Sequence, residues 1–176
     1  STDFDDLGYT FFNTTGVDNT AMGYLASRLN TTGAYNTSYG SYALYSNTTA
    51  SQHTAVGYQA LYSNTTGSEN TGVGYAVLYA NTTGNFNTAM GKVALDANTT
   101  GNSNSAFGLN SLGANTTSSN NSAYGVDSLR FNTGSSNTAV GKSALQSNTT
   151  ASNNTAVGYQ AGYSNTTGTA MTAIGY

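Results

Sequence analysis

The stretch TAVGYQALYSNTTG at residues 54–67 returns at residues 155–168 with a single change, Leu61 against Gly162. Related copies fill the interval between the two. A fixed period of tens of residues is typical of proteins built from stacked equivalent units. The repetition therefore indicates a chain of stacked units.

One glycine of the repeat recurs every 17 residues over most of the chain, and an asparagine series runs in step with it. The unit reads N-T-A-V-G-Y-x-A-L-Y-S-N-T-T-G-x-x, and its residues are numbered here as positions 1 to 17. The spacing shortens to 16 once, around Asn132-Thr133-Gly134. The ten units begin at Asn19, Asn36, His53, Asn70, Asn87, Asn104, Asn121, Asn137, Asn154 and Met171.

Each unit contains two short apolar segments, at positions 3–4 and 8–9, separated by glycine and by N-T-T-G. Such segments between turn residues predict two short strands and two turns per unit. Position 3 is always small and position 8 is mostly Ala or Ser, whereas position 4 is always apolar and position 9 is mostly Leu. We expect the small residues to let the walls of a flat coil approach, with positions 4 and 9 filling the interior. Glycine is expected where φ is positive, and Asn at the coil corners.

These features predict an all-β fold, a parallel β-solenoid (β-roll) with one 17-residue coil per repeat and about ten coils. At a rise of about 4.8 Å per coil, the rod would be roughly 48 Å long. A helix over G-Y-Q-A-L-Y-S is a less favoured alternative, because one or two turns are shorter than most helices. Residues 1–18 are expected to form an atypical N-terminal cap or docking segment with a degenerate first repeat, and residues 19–176 the solenoid.

The composition excludes several classes of function. Only 6% of the residues are charged and the net charge is −3, so the Lys and Arg clusters that nucleic acid requires are missing. No apolar run approaches the ~20 residues of a membrane-spanning helix. We therefore expect no nucleic-acid partner and no membrane insertion.

The segments NTAVGYQA (154–161), TAVGYQA (54–60) and NTAMGKVA (87–94) resemble the head repeat of trimeric autotransporter adhesins, roughly N-S-x-A-I-G-x-x-A. Similar repeats occur in phage fibres and in large surface proteins. The resemblance covers residues 19–176 and implies a left-handed parallel β-roll, with three chains side by side, displayed on a cell or virion surface. The family's unit is shorter than 17 residues, and the additional residues here lie around N-T-T.

Few residues have the character of a catalytic or metal-binding group. His53 is the only His, there is no Cys, and no acidic residue adjoins that His in sequence. A Ser or Thr nucleophile would need such a base and its partner. Asp3, Asp5 and Asp6 have two interpretations, a calcium site and a solvated end or cap, and their spacing favours the end or cap. We therefore expect no enzyme, no cofactor and no metal site, with His53 replacing Asn in an Asn ladder.

Two sets of residues are candidates for contact or modification. Tyr recurs at positions 6 and 10, where it either contacts ligands and other chains or stacks on itself. The N-T-T triplets are N-glycosylation sequons and equally the residues of a polar turn. The tyrosines are Tyr24, Tyr58, Tyr75 and Tyr159 at position 6, with Tyr45, Tyr62, Tyr79 and Tyr163 at position 10. The sequons lie at Asn13, Asn30, Asn47, Asn64, Asn81, Asn98, Asn115, Asn148 and Asn165.

The leading hypothesis is a structural, self-associating segment of an extracellular fibre or filament with a surface-adhesion role. Its partners would be other copies of the chain, as a side-by-side trimer or a head-to-tail filament, and possible targets are surface glycans or host surfaces. The final residues stop in mid-unit, which leads us to expect an edge that accepts the next subunit. The alternative is an ice- or glycan-binding solenoid that uses regular Thr or Tyr arrays, such as Thr48-Thr49 and Thr65-Thr66.

Overall fold

The computed structural model describes residues 15–176, so residues 1–14 of the expected cap at residues 1–18, and the sequon at Asn13, lie outside this range. It contains ten parallel strands in one sheet, ordered β1 to β10 along the chain. Each strand pairs with the next in a register of one repeat, as in Thr54↔Thr71. The strands are β1 (Thr20–Met22), β2 (Thr37–Tyr39), β3 (Thr54–Val56), β4 (Thr71–Val73), β5 (Thr88–Met90), β6 (Ser105–Phe107), β7 (Ser122–Tyr124), β8 (Thr138–Val140), β9 (Thr155–Val157) and β10 (Thr172–Ile174).

The predicted parallel β-solenoid with 17-residue coils is thus confirmed, and residues 15–176 contain no helix. The 16-residue unit pairs Ser122 with Thr138 without disturbing the register of the sheet. The missing residue is absorbed at the turn that follows Asn132. Here Asn132 Nδ2 donates to the carbonyl two residues ahead, whereas its equivalents reach three residues ahead.

Position 4 lies on the outer face of the sheet, so the prediction that it fills the interior is wrong. In β5, for example, Ala89 is fully buried while Met90 is 47% exposed. Successive side chains of a strand point to opposite faces. Since the small residue at position 3 points inward, its larger neighbours at positions 2 and 4 must point outward.

The prediction of a second strand at positions 8–9 is also wrong, since each coil has one strand of three residues. Positions 7 and 9 adopt left-handed backbone, as in Gln59 (φ 56°) and Leu61 (φ 54°), which an extended strand excludes. The coils are still hydrogen-bonded there, because Leu44 N donates to Ala60 O at 2.9 Å. A ladder between coils therefore exists on this side without strand geometry.

The interior is divided into an apolar half and an amide half. Ala at position 3, the small residue at position 8 and Leu at position 9 form one continuous buried cluster along the rod. Opposite them, the Asn side chains at positions 1 and 12 are buried in nearly every coil. The amide half requires a complete set of hydrogen bonds, because burying an amide without hydrogen-bond partners is costly.

The glycine at position 5 allows neighbouring coils to approach. Its φ lies between 112° and 143° in all ten coils, a region that side chains rarely occupy. A Cβ on Gly74 would lie 2.5 Å from the carbonyl oxygen of Gly91 in the next coil. The repeated glycine therefore sets the closeness of the stack as well as the turn after each strand.

Candidate functional site

Two amide ladders run through the interior at positions 1 and 12. At position 12, Asn64 Nδ2 donates to Asn47 Oδ1 at 3.1 Å and to Gly67 O at 2.9 Å. At position 1, Asn70 Oδ1 accepts the backbone N–H of Asn87 in the next coil at 2.9 Å. The expected hydrogen bonding between stacked asparagines is present, and the side-chain amides of both ladders take part in it.

The sequon asparagines are the position-12 residues, so most of them lie inside the rod. N-glycosylation would attach a bulky polar group to Nδ2, which in these residues donates hydrogen bonds within the interior. A coil with a glycan on a buried Asn cannot close as it does here, so any such modification must precede or replace folding of that coil. The fully buried ones are Asn30, Asn47, Asn64, Asn81, Asn98, Asn115 and Asn148, and Asn165 is half-buried.

His53 lies in the position-1 ladder and makes the same bonds as an asparagine. Its backbone N–H donates to Asn36 Oδ1 at 3.0 Å, and its Nδ1 accepts the Asn70 N–H at 3.2 Å. Its Nε2 lies 3.1 Å from Asn64 Nδ2 and is directed to the Gly67 carbonyl. Burial lowers the pKa of His53 to about 4 from 6.5, because a protonated ring would lose water that the hydrogen bond to the Gly67 carbonyl only partly replaces. This histidine is therefore a neutral structural residue.

The tyrosines of positions 6 and 10 stack on one another along the rod. The ring centroids of Tyr45 and Tyr62 are 5.2 Å apart with an interplanar angle of 5°, and Tyr62 and Tyr79 are 5.2 Å apart at 10°. At position 6, Tyr58 stacks on Tyr75 at 5.4 Å. Within each stack a ring turns its faces to its neighbours and its edge to solvent. The ring faces within a stack are therefore covered, and at one end the Lys92 ammonium lies over the Tyr75 ring, 5.7 Å from its centroid.

The remaining candidate tyrosines lie outside these two stacks. Tyr24 and Tyr163 are 39% exposed, and Tyr159 meets the Tyr176 ring at 5.4 Å with an interplanar angle of 35°. The structure thus brings together most position-6 and position-10 tyrosines of the first four coils. Those of the ninth coil lie away from these stacks.

Tyr42, at position 7, was missed by sequence reasoning and joins the two columns. Its ring lies 5.3 Å from Tyr24, 5.8 Å from Tyr45 and 6.3 Å from Tyr58 between centroids. Desolvation and the hydrogen-bonded Tyr24 hydroxyl raise the pKa of Tyr42. The signal was its occurrence at a position that holds an aromatic residue in no other coil.

The Thr pairs of N-T-T lie at the turn after the asparagine ladder. The first Thr of a pair donates its hydroxyl to the carbonyl of its equivalent in the next coil, as in Thr65 Oγ1 to Thr82 O at 3.1 Å. The second Thr, such as Thr66 or Thr83, is exposed. Only one of the two hydroxyl columns is thus free to face a ligand.

Residues 15–176 contain no group of three or more His, Cys, Asp or Glu side chains placed to hold a metal ion. The possible calcium ligands Asp3, Asp5 and Asp6 fall outside that range. The same residues include no helix with the length and hydropathy that a bilayer crossing requires. Comparisons with protein-family models, with curated proteins and with solved structures find no match for this chain.

Proposed function

We propose that the chain is a rigid, self-associating segment of an extracellular or surface-displayed fibre with a role in adhesion. The observation that carries this proposal is the outer face of the sheet. In all ten strands, position 2 is Thr or Ser and position 4 is apolar, so the face bears no charge from end to end. The position-4 side chains are Met22, Tyr39, Val56, Val73, Met90, Phe107, Tyr124, Val140, Val157 and Ile174.

This outer sheet face is large and continuous. Ten strands of three residues cover roughly 48 Å by 10 Å, or about 500 Å². That area is comparable with the largest apolar patches of monomeric proteins, which are often interaction sites. Most position-4 side chains are well exposed, as with Tyr39 at 55% and Val157 at 40%. Burying the face against a partner would remove these apolar groups from water.

A second copy of the chain suits this face better than an unrelated partner. The surface repeats once per coil, so a partner that matches it along its whole length needs the same rise per repeat. Another copy has that rise, and without charges on the face two copies do not repel each other there. This supports the side-by-side arrangement that the adhesin resemblance implies, while head-to-tail assembly stays a prediction.

The experiment is to replace three adjacent position-4 residues by lysine. We expect the wild-type chain to form multimers of defined mass in sedimentation velocity and laterally paired rods in electron micrographs. The variant Val56→Lys/Val73→Lys/Met90→Lys should give single-chain rods, because burying three ammonium groups is costly. The matched control, Thr66→Lys/Thr83→Lys/Thr100→Lys, adds the same charges in the same coils at the turn and should associate like the wild type. A single-chain wild type at millimolar concentration would refute the proposal.

The ice-binding alternative stays a prediction with a narrower basis. A flat Thr or Ser column is present at position 2, but the neighbouring position-4 side chains range in size from Val73 to Tyr124. A regular crystal surface requires a protein surface of regular height, and the position-4 side chains of this face differ in height. Thermal hysteresis of the purified chain at high concentration is the measurement that would favour this function.

A further inference from the structure

The position-10 column contains a gap at Gly113. Along the first eight coils the column runs Arg28, Tyr45, Tyr62, Tyr79, Asp96, Gly113, Arg130 and Gln146, and only Gly113 has no side chain. A cavity of about 220 Å³ opens there on the side of the rod. It is lined by Asp96, Asn110, Gly113, Ala114, Arg130 and Phe131, and is called the side groove below.

The backbone does not require the glycine that creates the side groove. Gly113 is absent from the residues with positive φ, so an ordinary side chain fits its conformation. The space is instead used by Asn110, since a Cβ on Gly113 would lie 2.2 Å from Asn110 Oδ1. The glycine therefore leaves room for a neighbouring amide and for the cavity beside it.

Other departures from the repeat gather at the same place. Phe131 occupies position 11, where the other coils have Ser, Ala or Leu29, and it is 45% exposed. Residues 15–176 carry eight charged side chains, and three of them, Asp96, Asp127 and Arg130, lie at or beside the groove. Stacking constrains the inward positions of a coil, and these residues are at outward ones. Their concentration is better explained by a ligand than by the needs of the stack.

The polar groups of the side groove are held in place by one another. Asn110 Nδ2 donates to Asp127 Oδ1 at 3.0 Å, and Arg130 Nη1 lies 3.6 Å from the same oxygen. The Arg130 guanidinium also lies over the Phe131 ring, 4.9 Å from its centroid. The Asp96 carboxylate accepts from the backbone N–H groups of Asp96 and Ala97, and its remaining lone pairs and the remaining N–H groups of Arg130 are left to face a ligand. Two carboxylates and one guanidinium give the site a formal charge of −1, which disfavours phosphate, sulfate and acidic sugars.

We infer that the side groove binds one neutral pyranose residue of a surface glycan. The cavity is smaller than the roughly 300–1,000 Å³ of drug-sized pockets, which fits a single sugar ring. Phe131 offers the apolar area that Arg130 leaves uncovered to the C–H face of a sugar. The carboxylate of Asp96 accepts from hydroxyl groups and Arg130 donates to them. The inference rests on the adhesive role proposed above and names the class of target.

The test fills the side groove with the residue that the column holds elsewhere. Gly113→Tyr restores the tyrosine of coils 2 to 4 and requires only that the end of the Asn110 side chain turn aside, so the fold should persist, as thermal unfolding monitored by circular dichroism would verify. The probes are glucose, galactose, mannose, N-acetylglucosamine and sialic acid, each measured by saturation-transfer NMR on the full chain. We expect transfer to at least one neutral sugar and none to sialic acid. Gly113→Tyr should abolish that signal, whereas Gln146→Tyr, in the same column outside the groove, should leave it unchanged.

A second variant separates the groove's chemistry from its volume. Phe131→Ser restores the serine of coils 2 and 3 while keeping the cavity open, and should weaken sugar binding at least tenfold. Absence of transfer to all four neutral sugars, or a signal that survives Gly113→Tyr, would overturn the inference. The inference would also be overturned if these variants changed the sedimentation of the chain without changing its sugar binding. The groove would then receive a side chain of a second copy. Failure here leaves the lysine-variant result, and with it the fibre proposal, unaffected.

Discussion

His53 reproduces the hydrogen bonds of the asparagine it replaces only while its imidazole is neutral. In the unfolded chain this group titrates near 6.5, and in the rod its pKa is lowered to about 4. Between these values the unfolded state binds more protons, so stability falls as the pH is lowered through this range. A protonated Nδ1 would also face the Asn70 N–H, which is itself a donor.

We expect the wild type to lose about 3 kcal/mol more stability than His53→Asn between pH 7.5 and pH 4. Urea unfolding curves of the two proteins at both pH values measure this difference. His53→Asn keeps every carboxylate, so their titration cancels in the comparison. Equal losses in the two proteins would show that His53 stays charged, or becomes solvated, inside the coil.

The amide ladder predicts a large cost for removing one member. Asn81→Ala deletes the donor to Asn64 Oδ1 and the acceptor of Asn98 Nδ2 in the buried interior. Leaving two such groups unsatisfied should lower the free energy of unfolding by about 2–5 kcal/mol. Thr83→Ala, two residues away and exposed, should change it by less than about 0.5 kcal/mol. Chemical denaturation of both variants provides the measurement, and a similar small loss in each would contradict the ladder.

At the scale of the strand and its turn, the glycine at position 5 is the sensitive site. Gly74→Ala places a Cβ 2.5 Å from the Gly91 carbonyl oxygen on a backbone with a φ of 143°. Strain and clash together should cost at least about 3 kcal/mol, seen as a large fall in the thermal midpoint.

The matched control for that substitution lies two residues earlier in the same coil. Gly72 has ordinary φ, and its missing Cβ leaves room for Val77, whose Cγ1 would be 3.1 Å away. The double variant Gly72→Ala/Val77→Ala restores the two alanines of the coils before and after it. It should stay within about 1 kcal/mol of the wild type. If Gly74→Ala is equally mild, the coils are not held as closely as the structure has them.

The sequence predicted how the coils stack better than it predicted the conformation of each coil. Register, period and the Asn ladders follow from repetition, which is visible in one sequence. Which residues face inward does not follow from repetition. Val56 and Leu61 are both apolar, yet Val56 points outward and Leu61 points inward. The left-handed backbone at Leu61 was equally hidden, since bulky residues rarely adopt it.

Paired substitutions were hidden for a different reason. Gly162, where Leu is usual, has its space filled by Met171 of the next coil, whose Cε would lie 2.7 Å from an added Cβ. The sequence reveals each departure but not that one compensates the other. Likewise, the side groove arises from Gly113, Asn110 and Phe131 in two different coils, and only the stack brings them together.

At the scale of the whole rod, each strand pairs only with those before and after it. Stability should then be a sum of coil and neighbour terms. Deleting residues 70–86, one full repeat, joins the third coil to the fifth and should leave a cooperative rod of slightly lower stability. Deleting residues 70–77 removes half a repeat and should abolish folding, because inward positions would follow outward ones. Circular dichroism and unfolding curves distinguish the two, and equal damage from both would exclude a modular stack.

The left-handed residues at positions 7, 9 and 17 have a consequence for how such a rod comes into being. Three non-glycine residues of this kind in most coils cost about 3–6 kcal/mol per coil, which a lone coil cannot offset. Only a neighbouring coil in register offsets this cost, through the hydrogen-bond ladders between coils and the packing of the buried leucines. A chain leaving the ribosome would therefore remain unfolded until several repeats have emerged, and would then fold onto that first stable block one repeat at a time.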